Sequence, residues 1–445
     1  MKKQITAIAL AGVIVCGLLA GCGQQPAESA GASAAKPASV STAAATTNEV
    51  NVWAWDTNYN IPIIELAGDY YAKSEHENFK VNVTEMSNDD TKAKMTAAFT
   101  SGTAEGLPDI VLIEDYDAQS FLQNYEGKFL DLTDYIDFKE FAPYKVAAVT
   151  YKDRTYAVPF DSGVAGMYYR KDYLEQAGYT AADMQNLTWT QFIQIGKDVK
   201  EKTGKWMISI LPYRSTHYIN MAMQSAGLWY FDESGHINLK NNPAVREMCG
   251  VLKEINAAGI SNPVEYYSAE AHGSITSGET AAALTAIWYA PTIKSAEDQA
   301  GKWAYTNLPT LETVEGATAY SNIGGSSWYI LADSPNKEAA IDMMKTVFAG
   351  NNDFYNDILR DRGAVSAYLP SKTVPAYNEA DSFFGTPIYQ DFAKWMDKVP
   401  GVSYGTNTQL AMDSIRAVMQ DYFDEKLSLD DMLKQAEEQY TMQAG

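Results

Sequence analysis

The chain has 445 residues and a formal net charge of -22, from 56 acidic against 34 basic side chains. That balance excludes nucleic acid and anionic lipid surfaces as partners, because both demand basic patches. Of its three cysteines, Cys16 and Cys22 fall in an N-terminal export segment, so Cys249 has no partner for an internal disulfide.

Lys2 and Lys3 precede an apolar run over residues 5–19, which ends in Ala20, Gly21 and Cys22. The run is shorter than the roughly 20 residues a membrane-crossing helix needs and has the flanks of an export signal, so cleavage of residues 1–21 is expected. Leu19-Ala20-Gly21-Cys22 resembles the bacterial lipobox, in which small side chains admit a peptidase ahead of a lipidated cysteine. Cys22 is therefore expected to carry two acyl chains, which anchor stably where one chain is marginal. Residues 22–48 are rich in Ala, Ser, Thr, Gly and Pro and lack aromatics, so they form a flexible linker.

The remainder, about 400 residues, exceeds the roughly 250–300 at which a single core stops growing, so two lobes are expected. Strand-like and amphipathic helical runs alternate, the pattern of α/β layers. Residues 49–55 read as a strand, 61–73 as a helix, 80–85 as a strand, 89–101 as a helix and the apolar 108–113 as a buried strand. Later helices are expected over 189–203, 243–258, 337–349 and 408–423. Thr188 and Gln191 have capping-box spacing, and Ser334-Pro335-Asn336 offers caps and a first-turn proline before the third of these. Cys249 lies in a helical pattern and reads as a small buried apolar residue.

No Walker loop and no dinucleotide-binding glycine motif occur. The histidines 76, 217, 236 and 272 lack metal-ligand spacing, so neither a metal nor another cofactor is expected. With 56 carboxylates, a pair suited to glycoside hydrolysis is inevitable by chance and has no weight. Nine Trp and 29 Tyr, several beside carboxylates and amides in strand-to-helix turns, point instead to carbohydrate. A sugar offers flat C–H faces that stack on rings and hydroxyls that need paired acceptors and donors.

Four stretches, over 106–121 (GLPDIVLIEDYDAQSF), 156–178 (YAVPFDSGVAGMYYRKDYLEQAG), 277–291 (SGETAAALTAIWYAP) and 323–344 (IGGSSWYILADSPNKEAAIDMM), resemble the extracellular solute-binding proteins (family 1) of carbohydrate ABC transporters. That group includes maltose-binding protein, and the similarity covers nearly the whole mature chain. It implies an α/β, two-lobe periplasmic-binding-protein-like fold of type II, with a hinge and an interlobe ligand cleft. The implied N-terminal lobe is 49–160 plus 325–370 and the C-terminal lobe 161–324 plus 371–445. Crossings are implied near 159–161, 324–325 and 367–372.

The resemblance further implies a monomer that is not an enzyme: it captures a sugar, an oligosaccharide in preference to a monosaccharide, and passes it to permease subunits by hinge closure. A binding protein for a polyamine or peptide, and a surface glycoside hydrolase, remain the alternatives. The Cys22 anchor implies the outer face of the cell membrane, in a Gram-positive bacterium.

Residue by residue, Asp56 and Asn58 match a turn that supplies polar sugar contacts, and Trp55 is placed to stack. Strand alternation sets Trp53 and Trp55 on opposite faces, so at most one of them lines the site. Glu114, Asp115 and Tyr116 follow a strand at the carboxyl edge where open α/β sheets bind ligands, with Asp115 the leading polar candidate. Asp161 lies near an acidic family position, two residues out of register. Tyr213, Arg214 and His217 precede a helix in a region that contributes an aromatic contact. Trp288 matches the family tryptophan that stacks on sugar. Gly325 and Trp328 accompany the second crossing, while Tyr404 and Asn407 precede the helix over 408–423.

Overall fold

The computed structural model describes residues 48–57, 59–74 and 76–444. The expected signal, Cys22, the linker as far as residue 47, and Asn58 lie outside the described residues. In chain order the strands are β1 Glu49–Ala54, β2 Lys80–Glu85, β3 Ile110–Glu114, β4 Thr150–Tyr151, β5 Arg154–Thr155 and β6 Ala157–Pro159. Then follow β7 Ala165–Arg170, β8 Ile208–Ser209, β9 Ser261–Asn262, β10 Ala282–Ala286, β11 Trp303–Thr306 and β12 Ser326–Ile330.

Five strands form one sheet in the order β2-β1-β3-β12-β6. β1 is parallel to β2 and β3, whereas β12 runs antiparallel to β3 and β6. Alternation divides its side chains between two cores. Val50, Val52, Ile110, Leu112, Trp328 and Ile330 enter one, and Trp53, Val111, Ile113 and Tyr329 enter the other. A sheet covered on both faces explains the unbroken apolar run of β3. A second, antiparallel sheet has the order β10-β7-β11, and every residue of β7 and β10 is buried.

Three segments run side by side between these sheets. Ser162 N–H donates to Val365 O, Ile323 N–H to Gly163 O and Ala165 N–H to Ser321 O, at 2.9, 2.8 and 2.9 Å. The third segment lies around 365–367, at the upstream end of the expected 367–372, since Leu369–Thr373 is already a 3-10 turn. The approach is close enough to require glycine: a Cβ on Gly163 would stand 2.3 Å from Ile323 O and 2.7 Å from Gly324 O. Gly163→Ala is therefore expected to force backbone apart and to lower unfolding free energy by about 1–3 kcal/mol, read by thermal or urea melts.

The helices Trp189–Thr203, Pro243–Ala258 and Thr408–Phe423 have the expected bounds, and the Thr188–Gln191 capping box is formed in both directions. The helix expected over 337–349 is α-helical only over Lys337–Met343 and continues as a π-turn over Met344–Phe348. Pro335 lies ahead of it, outside the first turn, and the Ser334 hydroxyl donates to Asp109 instead of capping. The C-terminal helix Leu429–Ala444 has no counterpart among the expected elements. Among the described residues no helix is long and apolar enough to cross a membrane.

Candidate functional site

Parallel strands bring their carboxyl ends to one edge of a sheet. Here β1, β3 and β6 all end at the edge where β12 begins, since Ser326 pairs with Glu114 and Ser327 with Pro159. The residues just outside that edge, Trp55, Asp56, Glu114, Asp161 and Gly324 to Ser326, line a cavity of about 120 Å³ bordered on another side by Trp288.

Each wall has a local cause. After β1 the Asn60 side-chain oxygen accepts from the backbone N–H groups of Trp55 and Asp56, at 3.2 and 3.0 Å, which turns the chain across the sheet edge. Trp53 packs into the core behind the sheet, so Trp55 is the tryptophan of this pair that lines the cavity. Tyr59 also lines it. Its hydroxyl is buried without a hydrogen-bond partner among the described residues. Asp161 is held by Ser326, whose N–H and hydroxyl both donate to Oδ1, at 2.8 and 3.0 Å. Trp288 sits in the turn Ile287–Tyr289 after β10, and its Nε1 donates to Ile323 O at 3.2 Å. Gly324, at φ +69°, passes beneath the ring, where a Cβ would lie 3.5 Å from Nε1.

Asp56, Glu114 and Asp161 give the lining a surplus of acceptors, and no basic side chain joins them. Burial, followed by the charge of Asp117, pushes the Glu114 carboxyl from its ordinary 4.5 up to about 7, against the pull of Lys92; Asp115 and Asp161 add to the rise. A carboxyl raised in the folded state favours folding at low pH, and its contribution is lost as pH rises from about 4.5 through 7. Glu114→Gln is therefore expected to be more stable than wild type at pH 8, by on the order of 2 kcal/mol, and equal to it near pH 4. Melts across that range read the difference.

Other sequence candidates lie elsewhere. Asp115 is 1 % exposed and accepts from Lys145 Nζ at 2.5 Å and Ser327 Oγ at 3.0 Å. Burial pushes its carboxyl up and the Lys145 ammonium pulls it back. Tyr116 reaches into a third core, against Trp229 and Tyr404, with ring centroids at 5.4 and 4.9 Å, while its hydroxyl accepts from Gly324 N–H. Tyr404 is thereby buried, and Asn407 sits at the start of its helix, donating to Tyr440. Trp328 is fully buried between Phe160 and Phe348. Tyr213 and Arg214 border a separate groove with Asp413 and Arg416, and His217 packs against Tyr266 and Tyr267.

Tyr59, Asn60, Gly324 and Ser326 are cavity residues that the sequence reading did not single out. The Asp56–Asn60 spacing just after a strand was an available sign of a side-chain-locked turn. Residues 401–405, Gly-Val-Ser-Tyr-Gly, fit the G-x-S-x-G spacing of a hydrolase nucleophile turn. They form a loop with no strand before it, and no histidine contacts Ser403 among the described residues, so the spacing carries no catalytic geometry.

This architecture is that of the type II periplasmic binding proteins. The acarbose-binding GacH receptor of Streptomyces glaucescens superposes with a TM-score of 0.74 at 17% identity, over 88% of this chain and 97% of that one. An ABC transporter associated binding protein from B. animalis subsp. lactis Bl-04, solved with β-1,6-galactobiose, gives 0.72 at 21% identity over 88% and 96%. The lactose-binding protein of Rhizobium radiobacter is 45% identical over 366 residues, 82% of this chain and 86% of that protein. A sequence profile of the bacterial extracellular solute-binding proteins matches residues 68–385, and the chain belongs to that family.

Proposed function

We propose that this protein captures a short oligosaccharide, in the first instance a β-galactoside such as lactose, outside the cell and delivers it to an ABC importer without making or breaking a bond. The observation that carries the reading is the cavity itself: its lining combines the acceptors of Asp56, Glu114 and Asp161 with two aromatic side chains, Trp55 and Trp288, and no basic side chain is among its lining residues. Hydroxyls donate to the former and a pyranose face stacks on the latter. The lactose-binding relative and the galactobiose-bound neighbour support the ligand class.

In this reading Trp55, Asp56, Glu114, Asp161, Gly325 and Trp288 form the contact set, to which the family resemblance adds Asn58, and the segments around 160–164, 321–325 and 365–367 are the hinge between an N-terminal and a C-terminal lobe. Closure requires the sugar to bind the closed state better than the open one. The lipobox resemblance supports an anchor at Cys22 on the outer face of a Gram-positive cell membrane, from which a monomer on its linker meets the permease subunits. Calorimetric titration of residues 23–445 with lactose and β-1,6-galactobiose tests the proposal, and no heat of binding at millimolar sugar would sink it.

A further inference from the structure

The carboxyl groups gathered at the end of β3 are not equally supplied with donors. Asp115 accepts from Lys145 and Ser327, and Asp161 accepts twice from Ser326. Asp117 pairs with Lys92 at 3.2 Å. Glu114 differs: it precedes the helix Asp115–Asn124 without capping it, and among the described residues no hydrogen bond or ion pair reaches its carboxyl. The cations around it are engaged elsewhere, Lys92 by Asp89 and Asp117 and Lys145 by Asp115 and Ser326 O. Asp56 and Asp161 add like charge along the same lining.

A carboxylate keeps its charge where donors or cations reach it, and one without them, among other carboxylates and partly shielded from water, takes up a proton. The rise of the Glu114 carboxyl to about 7 has these surroundings as its cause. Burial raises the hydroxyls of Tyr59 and Tyr116 above their ordinary 10, so neither titrates in this range. A glutamate sealed in a core would also be protonated, with no effect on a ligand. Glu114 is only half-buried and borders the cavity. There a neutral carboxyl offers an O–H donor as well as an acceptor oxygen, in a lining with no basic side chain to donate.

We infer that Glu114 acts in capture as a neutral acid: its O–H donates to a sugar oxygen, its other oxygen accepts from a sugar hydroxyl, and each sugar bound at alkaline pH takes up a proton. The proton stays on Glu114 and no bond of the sugar changes. The inference rests on the sugar capture proposed above and adds its regulation by pH. Because the neutral form binds, affinity falls as pH rises through the Glu114 titration.

The test is calorimetric titration of residues 23–445 with lactose and with β-1,6-galactobiose at pH 6 and pH 8. The wild type is expected to bind roughly tenfold more weakly at pH 8, with close to one proton taken up per sugar there and about a tenth of one at pH 6. The heat at pH 8 is expected to differ between phosphate and HEPES, since the buffer supplies the proton. Glu114→Gln, which keeps a donor and an acceptor and cannot ionise, is expected to bind equally at both pH values and therefore more tightly than wild type at pH 8. Lys92→Met, outside the lining, removes a charge that favours ionised Glu114 and is expected to move the loss of affinity to higher pH. A wild type as tight at pH 8 as at pH 6, or a folded Glu114→Gln that keeps the pH dependence or loses binding at pH 6, overturns the proton link and leaves sugar capture standing. A wild type that binds neither sugar at either pH overturns both.

Discussion

Lys145→Met is expected to lower the unfolding free energy by roughly 3–5 kcal/mol, because it leaves a buried carboxylate without its cation. Lys145 is 0 % exposed and its ammonium holds Asp115 at 2.5 Å and Ser326 O at 3.0 Å. The pair joins the helix Pro143–Ala148 to the end of β3 and the start of β12, beside the cavity. It packs tightly there: a Cβ on Gly325 would lie 3.1 Å from Nζ and 3.2 Å from Asp115 Oδ2. Methionine fills much the same volume, so the loss reports on charge more than on packing. Adding Asp115→Leu to Lys145→Met is expected to recover most of it, since an apolar pair leaves nothing unpaired apart from Ser327 and Ser326 O. The single-variant loss is also expected to shrink at low pH. Burial already raises the Asp115 carboxyl, and without Lys145 it protonates more readily still. Urea melts of the two variants at pH 5 and pH 8 read all three effects; a single-variant loss below about 1 kcal/mol would remove the pair from the structural role argued here.

That pair also marks where reading the chain stops working. The helix limit at Thr188 was legible because capping is chemistry within three residues, and that cap is made as the residue types imply; the one expected at Ser334–Asn336 is not, because the Ser334 hydroxyl goes to the distant Asp109. The apolar run of β3 was legible because a strand covered on both faces needs one. What happens at its end was not. Glu114 and Asp115 are neighbours of like charge, yet one lines the cavity and the other turns under it to a lysine 30 residues on. Nothing local distinguishes them. Trp328 and Tyr404 likewise resemble platform residues in sequence, and their burial depends on Phe160, Phe348, Tyr116 and Trp229 arriving from distant segments. Trp55 and Asp56 were accessible through the family resemblance, whose sugar-contacting turn follows the first strand and so falls at the sheet's carboxyl edge.

Trp288→Ala is expected to weaken binding of lactose, or of whichever galactoside the wild type binds, at least 100-fold. The wild-type indole ring stands at the cavity wall. It is half-buried, it faces the acceptor-lined wall of Asp56, Glu114 and Asp161, and its Nε1 bond to Ile323 O fixes its plane. A fixed aromatic face in a largely desolvated pocket is where truncation costs about 2 kcal/mol or more, and 2.7 kcal/mol is about 100-fold. Trp288→Phe retains a stacking face but loses the bond to Ile323, so an intermediate loss, on the order of tenfold, is expected. Packing offers a competing account of the same residue, because the side chain touches three separate buried clusters. The two accounts separate when melting temperature is measured beside affinity. A binding residue gives a large affinity loss with a modest fall in melting temperature. A large fall in melting temperature with affinity within fivefold would make Trp288 a packing residue, and the contact set would then have to be rebuilt around Trp55.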